Sequence, residues 1–189
     1  MKSNLESRRR FLQAAAISSG AILWPRVEAF GETKAANSSP QGSESKSADY
    51  TVRIKVSPVE IAPNRILSVT TYNGQFPGPL IRLKEGQPVT VDILNDTDVA
   101  EQLHWHGQMV PVDVDGASEE GTPFIPAHGK RTISFTPRPS GFRFYHTHNR
   151  GGANLAAGQY NGQVGPVYIE GRTEPGNYDR EVFLVLKEF

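Results

Sequence analysis

The sequence of 189 residues contains no cysteine. This absence excludes disulfide bonds, thiolate zinc sites, cysteine nucleophiles and every copper centre that needs a thiolate ligand. The chain also lacks an excess of charge of either sign, because 20 Lys and Arg residues balance 20 Asp and Glu residues. A balanced charge gives no argument for a basic surface that binds nucleic acid. We therefore expect no nucleic acid among its partners.

The N-terminal region lacks a hydrophobic run long enough for a stable membrane anchor. Its small and apolar residues, 14–24, follow three arginines at Arg8–Arg10 and are too few to span a bilayer. The order of basic, apolar and small residues resembles a twin-arginine export signal that ends at Ala29, with an amphipathic helix as the alternative. We predict a signal peptide over 1–29, recognition by the twin-arginine translocation machinery, and a periplasmic or secreted protein.

The rest of the chain divides by its content of apolar side chains. Residues 30–49 carry almost none that are bulky, so burial cannot offset the entropy of ordering them, and we predict a flexible, disordered linker. From Tyr50 to Gly171, alternating apolar and polar residues between Gly- and Pro-containing turns predict an all-β domain, an antiparallel sandwich. The predicted strands are residues 50–56, 65–72, 89–94, 102–106, 131–136, 142–148 and 165–170.

The segment after this domain is polar over residues 172–180 and then apolar over residues 181–189, where it has the composition of a strand. An unpaired apolar strand promotes aggregation, and complete proteins usually avoid one. The strand therefore either pairs with the sandwich or begins a second domain.

Four of the five histidines form two His-X-His units, over His104–His106 and His146–His148. Random placement would give about 0.13 such units. On a strand, residues i and i+2 point to one face roughly 6.5 Å apart, so each unit presents two imidazoles together. Converging imidazoles suit copper, zinc, iron or nickel, and the pattern alone selects neither the metal nor the number of ions.

Two other interpretations of the histidines remain open. They could be ordinary strand residues, each satisfied by a hydrogen bond, or part of a mononuclear cupin-type site. The cupin motif has a Glu soon after its His-X-His, whereas residues 108–111 are Gln-Met-Val-Pro. The fifth histidine, His128, lies in a turn and is predicted to be an exposed residue without a ligand role. We predict a solvated loop at Glu119 and Glu120. We also predict packing roles, rather than electron transfer, for Trp105 and Tyr145, and core positions for Phe142 and Phe144.

Five short motifs resemble the first cupredoxin domain of multicopper oxidases, the laccase-like family. They occur in the family's order within residues 50–171, and the paired histidine motifs are highly specific. The motifs are Tyr72–Ile81, Gly86–Val91, His104–Gly107, Asp115–Gly116 and Tyr145–His148. The resemblance implies a cupredoxin-like (plastocyanin-like) Greek-key β-sandwich that binds copper.

The resemblance also implies a role for each site residue. In the family, a trinuclear copper cluster lies between the first and last domains and is held by eight histidines, four from each. His104 would bind the type 2 copper. His106 and His146 would share one type 3 copper, and His148 would bind the other. Asp115 would help to deliver protons as oxygen is reduced, or orient a ligand, unless it is an ordinary turn aspartate.

The motifs that are missing limit this implied function. A complete oxidase takes electrons at a type 1 copper, which needs a cysteine, and this chain has none. The family's C-terminal His-Pro-X-His-X-His-Gly and His-Cys-His motifs are also absent. The resemblance thus implies that the chain supplies four of eight ligands, is not competent alone, and needs the remaining cupredoxin domains of the same or another chain as partners. Residues 172–189 would be a linker and the first strand of a truncated second domain.

Two functions of other classes remain as alternatives. The first is a stand-alone periplasmic copper-binding or carrier module without oxidase activity. The second is a copper-free relative that uses the sandwich for protein contacts. Retention of all four histidines disfavours the second, because without a metal they would leave polar imidazoles converging on one face.

Overall fold

The computed structural model describes residues 47–149, 158, 160–173 and 176–189. All of them belong to one compact unit, Glu44–Phe189. The predicted signal peptide, 1–29, lies outside the described residues, as does the predicted linker up to residue 46. Within the described ranges, no helix has the length and apolar character needed to cross a membrane.

The described residues form two four-stranded sheets, and the all-β prediction is confirmed. The strands are β1 (Tyr50–Ala62), β2 (Arg65–Tyr72), β3 (Ile81–Lys84), β4 (Val89–Asn95), β5 (His104–His106), β6 (Lys130–Phe135), β7 (Gly141–His146) and β8 (Val164–Glu170). The first sheet has the order β2-β1-β4-β6, and the second has the order β3-β8-β7-β5. A one-turn helix, α1 (Val112–Asp115), and a 3-10 turn (Ser118–Glu120) lie between β5 and β6.

Both sheets are mixed, so the prediction of a purely antiparallel sandwich is wrong. Strand β1 runs antiparallel to β2 but parallel to β4, with Tyr50 opposite Val91. Strand β3 is parallel to β8, with Ile81 opposite Val167. Parallel neighbours arise where the chain leaves a sheet and returns to it by a long crossover. The alternation of apolar residues reports which face of a strand is buried and does not report strand direction.

The core lies between the sheets and fixes which residues of β5 and β7 face outward. Trp105 and Tyr145 are both 0% exposed, and Trp105 packs 4.9 Å from Phe135 between ring centroids, as their predicted packing roles require. Because side chains alternate along a strand, the neighbours of Trp105 and Tyr145 point away from the core. Phe142 and Phe144 are therefore 43% and 37% exposed, and their prediction as core residues is wrong.

The segment 181–189 is part of no strand ladder in the described chain. It contacts the second sheet through side chains: the Phe183 ring lies 5.5 Å from Phe142 and 5.6 Å from Tyr168. Its backbone forms no ladder with any described residue, so the alternative in which this strand pairs with the sandwich is wrong. Assignment of residues 172–189 to a second domain stays a prediction. Strand β3, which sequence analysis missed, has only four residues between turns.

Candidate metal centre

The pairing of β5 with β7 brings the two His-X-His units together. In the antiparallel register, His104 lies opposite His146, Trp105 opposite Tyr145, and His106 opposite Phe144. Since Trp105 and Tyr145 point into the core, the histidines lie on the outer face of the second sheet. The four imidazoles gather there, with ring centroids 5.0 Å apart for His104 and His148 and 6.0 Å apart for His146 and His148.

Three of the four histidines form the tightest part of this cluster. One ring nitrogen from each of His104, His106 and His146 lies within 4.8 Å of the others. His106 Nδ1 and His146 Nε2 are 3.2 Å apart. Two nitrogens that bind the same tetrahedral ion, each at about 2.0 Å, are roughly 3.3 Å apart. His106 Nδ1 and His146 Nε2 can therefore share one ion. His148 borders this group through its ring contacts with His104 and His146.

Carbonyl and carboxylate oxygens fix the orientation of two imidazoles. His104 Nδ1 is 2.9 Å from the Asp115 carbonyl oxygen and 3.1 Å from Asp115 Oδ2. His146 Nδ1 is 2.6 Å from the Thr147 carbonyl oxygen. An Nδ1–H that donates to oxygen leaves Nε2 with the lone pair that a metal requires. Asp115 therefore contacts the predicted ligand His104 directly, in a position to orient it.

Glu119 is a site residue that sequence analysis missed. Its Oε1 atom lies 3.1 Å from His148 Nδ1, although the sequence predicts a solvated loop. The same short connection, 112–120, thus supplies an acid to two of the histidines, Asp115 to His104 and Glu119 to His148. No sequence motif marks Glu119, because the contact joins two residues that are far apart in the sequence.

Burial keeps two of the histidines in the form that binds metals. It lowers the pKa of His146 to about 4. The pKa of His106, an exposed residue whose ring is partly desolvated, is also lowered, first by that desolvation and then by the nearby His104 and His148. Both shifts favour the neutral imidazole, which keeps one N–H and leaves the other ring nitrogen free to bind a metal. The fifth histidine, His128, lies apart from the cluster, with its Nε2 atom 2.9 Å from Asp98 Oδ1 and an exposed side chain.

Comparison with known proteins decides the family. Residues 54–174 match a family described as multicopper oxidase. The chain belongs to the multicopper oxidase family. It is 33% identical over 187 residues to copper resistance protein A of Pseudomonas syringae pv. tomato, covering 97% of this chain and 29% of that protein. It is 30% identical over 190 residues to multicopper oxidase MmcO of Mycobacterium tuberculosis, covering 97% and 36%.

Solved multicopper oxidases have the same fold. The structure of Lac15 from a marine microbial metagenome matches with a TM-score of 0.60 and 25% identity, over 67% of this chain and 33% of that one. The blue copper oxidase from Nitrosomonas europaea matches with a TM-score of 0.58 and 27% identity, over 66% and 39%. The predicted cupredoxin-like sandwich is thereby confirmed. The chain spans about a third of the length of these relatives.

The donor set of the cluster fits the copper that the multicopper oxidase family implies. Its atoms are imidazole nitrogens, which suit copper, and His104 and His146 each turn Nδ1 toward an oxygen so that Nε2 can ligate. The residues that would hold the metal are His104, His106, His146 and His148. A type 1 copper does not fit, since the chain has no cysteine.

A buried acid supports the loop that carries His148. Glu101 is only 5% exposed, and its Oε2 atom lies 3.1 Å from Gln163 Nε2 and 3.5 Å from Thr147 Oγ1. Thr147 stands between two predicted ligands, and its hydroxyl also accepts a hydrogen bond from the Asn149 backbone N–H. Glu101 thus joins the start of β5 to the end of β7 and the start of β8.

Stability should depend on pH through Glu101. Burial raises the pKa of its carboxyl above the ordinary value, so ionisation is less favourable in the folded chain than in the unfolded one. The free energy of unfolding is therefore expected to fall as pH rises through the ordinary pKa, and to level off above the folded pKa. Glu101→Gln, which cannot ionise, should remove this decline.

Urea unfolding of the metal-free chain between pH 4 and pH 8 measures this effect. The difference between the wild type and Glu101→Gln isolates Glu101 from other groups that titrate in the range. The matched control is Glu188→Gln, which removes an exposed carboxyl and should leave the wild-type pH dependence in place. Parallel curves for the wild type and Glu101→Gln would contradict the prediction.

Proposed function

We propose that this chain is the copper-binding N-terminal domain of an exported multicopper oxidase, and that it contributes four of the eight histidine ligands of a trinuclear type 2/type 3 copper cluster. The observation that carries the proposal is the convergence of ring nitrogens from His104, His106 and His146 within 4.8 Å. His148 adjoins them. Such a group of imidazoles has no simpler structural use on an outward face of a sheet.

The contacts favour a particular division of the ligands. The 3.2 Å separation between His106 Nδ1 and His146 Nε2 supports a shared type 3 copper. His104 would bind the type 2 copper through Nε2, since its Nδ1 atom faces Asp115. His148, which lies at the border of the group, would bind the other type 3 copper.

The position of the cluster favours completion by another domain. The histidines lie on the outer face of the second sheet, and His106 is exposed, so ligands from a facing surface can approach. The remaining cupredoxin domains, from the same or another chain, would supply the other four histidines and the type 1 cysteine. Export to the periplasm or beyond by the twin-arginine pathway is part of this proposal, supported by Arg8–Arg10 and the apolar run that follows.

When bound, copper in such a cluster accepts electrons and reduces dioxygen to water. The chain's own residues bind the ions, hold the imidazoles in one tautomer, and provide a group that can hold a proton. The Thr147 carbonyl keeps the proton of His146 on Nδ1. The Asp115 carboxylate, 3.1 Å from His104 Nδ1, can accept a proton beside the cluster, which supports its role as a proton relay.

Copper titration and oxygen uptake, measured together, test the proposed function. The purified full chain should bind copper but consume no oxygen with a phenolic reductant. Oxygen uptake should appear when the chain is co-expressed with a polypeptide that carries the C-terminal part of MmcO, beyond the region that aligns here. Failure of the chain to bind copper would overturn the proposal.

A second function, a stand-alone copper-binding or carrier module, is favoured by one feature of the cluster. Three donor atoms within 4.8 Å come from a single chain, so one ion can be held without a partner. This function predicts the same copper titration but no oxygen uptake with any complementing polypeptide. The co-expression experiment therefore separates the two functions.

A further inference from the structure

Phe144 stacks on one of the predicted copper ligands. Its ring lies 4.2 Å from the imidazole of His106 between centroids, with an angle of 16° between the planes. It also lies 5.3 Å from the ring of His146, at 30°. Phe144 thus contacts both histidines whose nitrogens are 3.2 Å apart.

The backbone register produces this stacking. Phe144 is directly opposite His106 in the β5–β7 ladder, and it precedes His146 by two residues on the same strand face. Opposite and alternate residues of a sheet are the positions where side chains meet. The outward direction of Phe144, which leaves it 37% exposed, is therefore the direction that places its ring against the two imidazoles.

Core packing does not explain the position of Phe144, because its side chain points away from the core. Phe142 shows how a phenylalanine on the same face packs when it does not touch the histidines. Phe142, two residues earlier and on the same face, has its ring 5.5 Å from Phe183, and among the described residues its ring contacts no imidazole. Both side chains are exposed to a similar extent, 43% and 37%. The two residues differ in whether they touch the cluster.

We propose that Phe144 is a positioning residue for the ligand pair His106 and His146. Its ring holds the His106 imidazole so that Nδ1 faces Nε2 of His146. The torsion that turns an imidazole is broad and roughly two-fold, so it is defined by what the ring packs against. His106 is exposed and faces solvent on one side, and the flat contact with Phe144 limits its rotation on the other. The apolar ring also keeps water from that side of the pair, which affects the metal's surroundings. The inference rests on the proposed function.

Three variants of the full chain test this role. Phe144→Leu removes the flat ring but keeps an apolar side chain, Phe144→Tyr keeps the ring, and Phe142→Leu is the matched control on the same face. Each is titrated with copper(II) alone, and the bound metal is followed by electron paramagnetic resonance. Thermal unfolding of each metal-free variant shows whether it is folded.

The expected results follow from the contact. Phe144→Leu should weaken copper binding by about tenfold, as loss of an orienting partner does, and broaden the copper spectrum because the His106 ring takes several orientations. Phe144→Tyr should restore both, and Phe142→Leu should match the wild type. In the metal-free chain, proton NMR should show an upfield ring-current shift of the His106 ring protons that Phe144→Leu abolishes.

Failure of this inference differs from failure of the proposed function. The positioning role would be overturned if folded Phe144→Leu had the affinity and spectrum of the wild type, or if Phe142→Leu lost as much as Phe144→Leu. The proposed function would still stand in that case, provided that His106→Ala abolished copper binding. Absence of copper binding by the wild-type chain would overturn both. A ring-current shift would then show only that Phe144 stacks on His106 in a chain that does not bind copper.

Discussion

Replacement of His106 or His148 by Ala should weaken copper binding by the purified chain by more than about 100-fold, a larger loss than that of an orienting partner. His106 is one of the three residues whose donor atoms lie within 4.8 Å, so His106→Ala should affect the first ion that binds. His148 borders that group, so His148→Ala should affect a second ion. Competition titration against a chelator of known affinity measures both losses.

The chain offers a matched control for these replacements. His128→Ala removes an exposed imidazole that contacts Asp98 rather than the cluster, so copper binding should not change. Unchanged titrations for both His106→Ala and His148→Ala would show that the paired histidines are not ligands. Loss of binding in His128→Ala would show that copper binds elsewhere on the chain.

Much of this site could be predicted from sequence because its geometry is local. Trp105 alternates with two histidines, and Tyr145 precedes His146, so the parity of each strand places the buried aromatic and the imidazoles on opposite faces. Strand β2 was predicted with its observed bounds, Arg65–Tyr72, since turns enclose an alternating run. These features depend on residues a few positions apart, which a sequence displays directly.

The same parity argument could have placed Phe142 and Phe144 correctly. Both residues are an even number of positions from His146 and an odd number from Tyr145, so their side chains lie on the outer face with His146. The prediction of a core position rested on alternate strand residues facing the core and did not identify which alternate set does so, although a one-residue difference on a strand reverses the face of a side chain. The stacking of Phe144 on His106 further depends on the pairing of β5 with β7, which no local pattern contains.

Contacts between distant segments account for the other differences. Glu119 reaches His148 across 29 positions of sequence, through a connection whose path depends on the packing of α1 and the 3-10 turn. The parallel pairing of β1 with β4 arises in the same way, because strand order is decided by crossovers between the sheets. Composition and the alternation of apolar residues predict neither the Glu119–His148 contact nor the strand order, since many connections between strands bury the same strand faces.

Gly116→Ala should have the largest effect on stability among the variants considered, because the backbone at Gly116 lies against the start of β5. A Cβ atom there would be 1.9 Å from the Leu103 carbonyl oxygen and 2.6 Å from His104 Cα. Both atoms belong to the backbone, so no side-chain rotation relieves the overlap. With φ at 89°, Gly116 also has a left-handed conformation that Ala adopts at a cost. We expect the free energy of unfolding to fall by about 3–5 kcal/mol.

A second glycine separates the cost of backbone strain from that of the overlap. Gly121 also has a positive φ, 108°, but the nearest atom to a Cβ there is Val112 Cγ1 at 3.6 Å. Gly121→Ala should therefore lose only about 1–2 kcal/mol, from strain alone. Urea unfolding of both variants in the presence of a chelator measures the difference, and equal losses would contradict the overlap at Gly116.

Copper binding should respond to Gly116→Ala as well, because the close approach at Gly116 is what brings Asp115 to His104. To relieve the overlap with Leu103, the backbone after α1 must move away from β5. That movement lengthens the contacts of His104 Nδ1 with the Asp115 carbonyl oxygen and carboxylate, now 2.9 Å and 3.1 Å. The folded fraction of Gly116→Ala should then bind copper about tenfold more weakly than Gly121→Ala. Equal affinities would show that the Asp-Gly turn stabilises the fold without orienting the ligand.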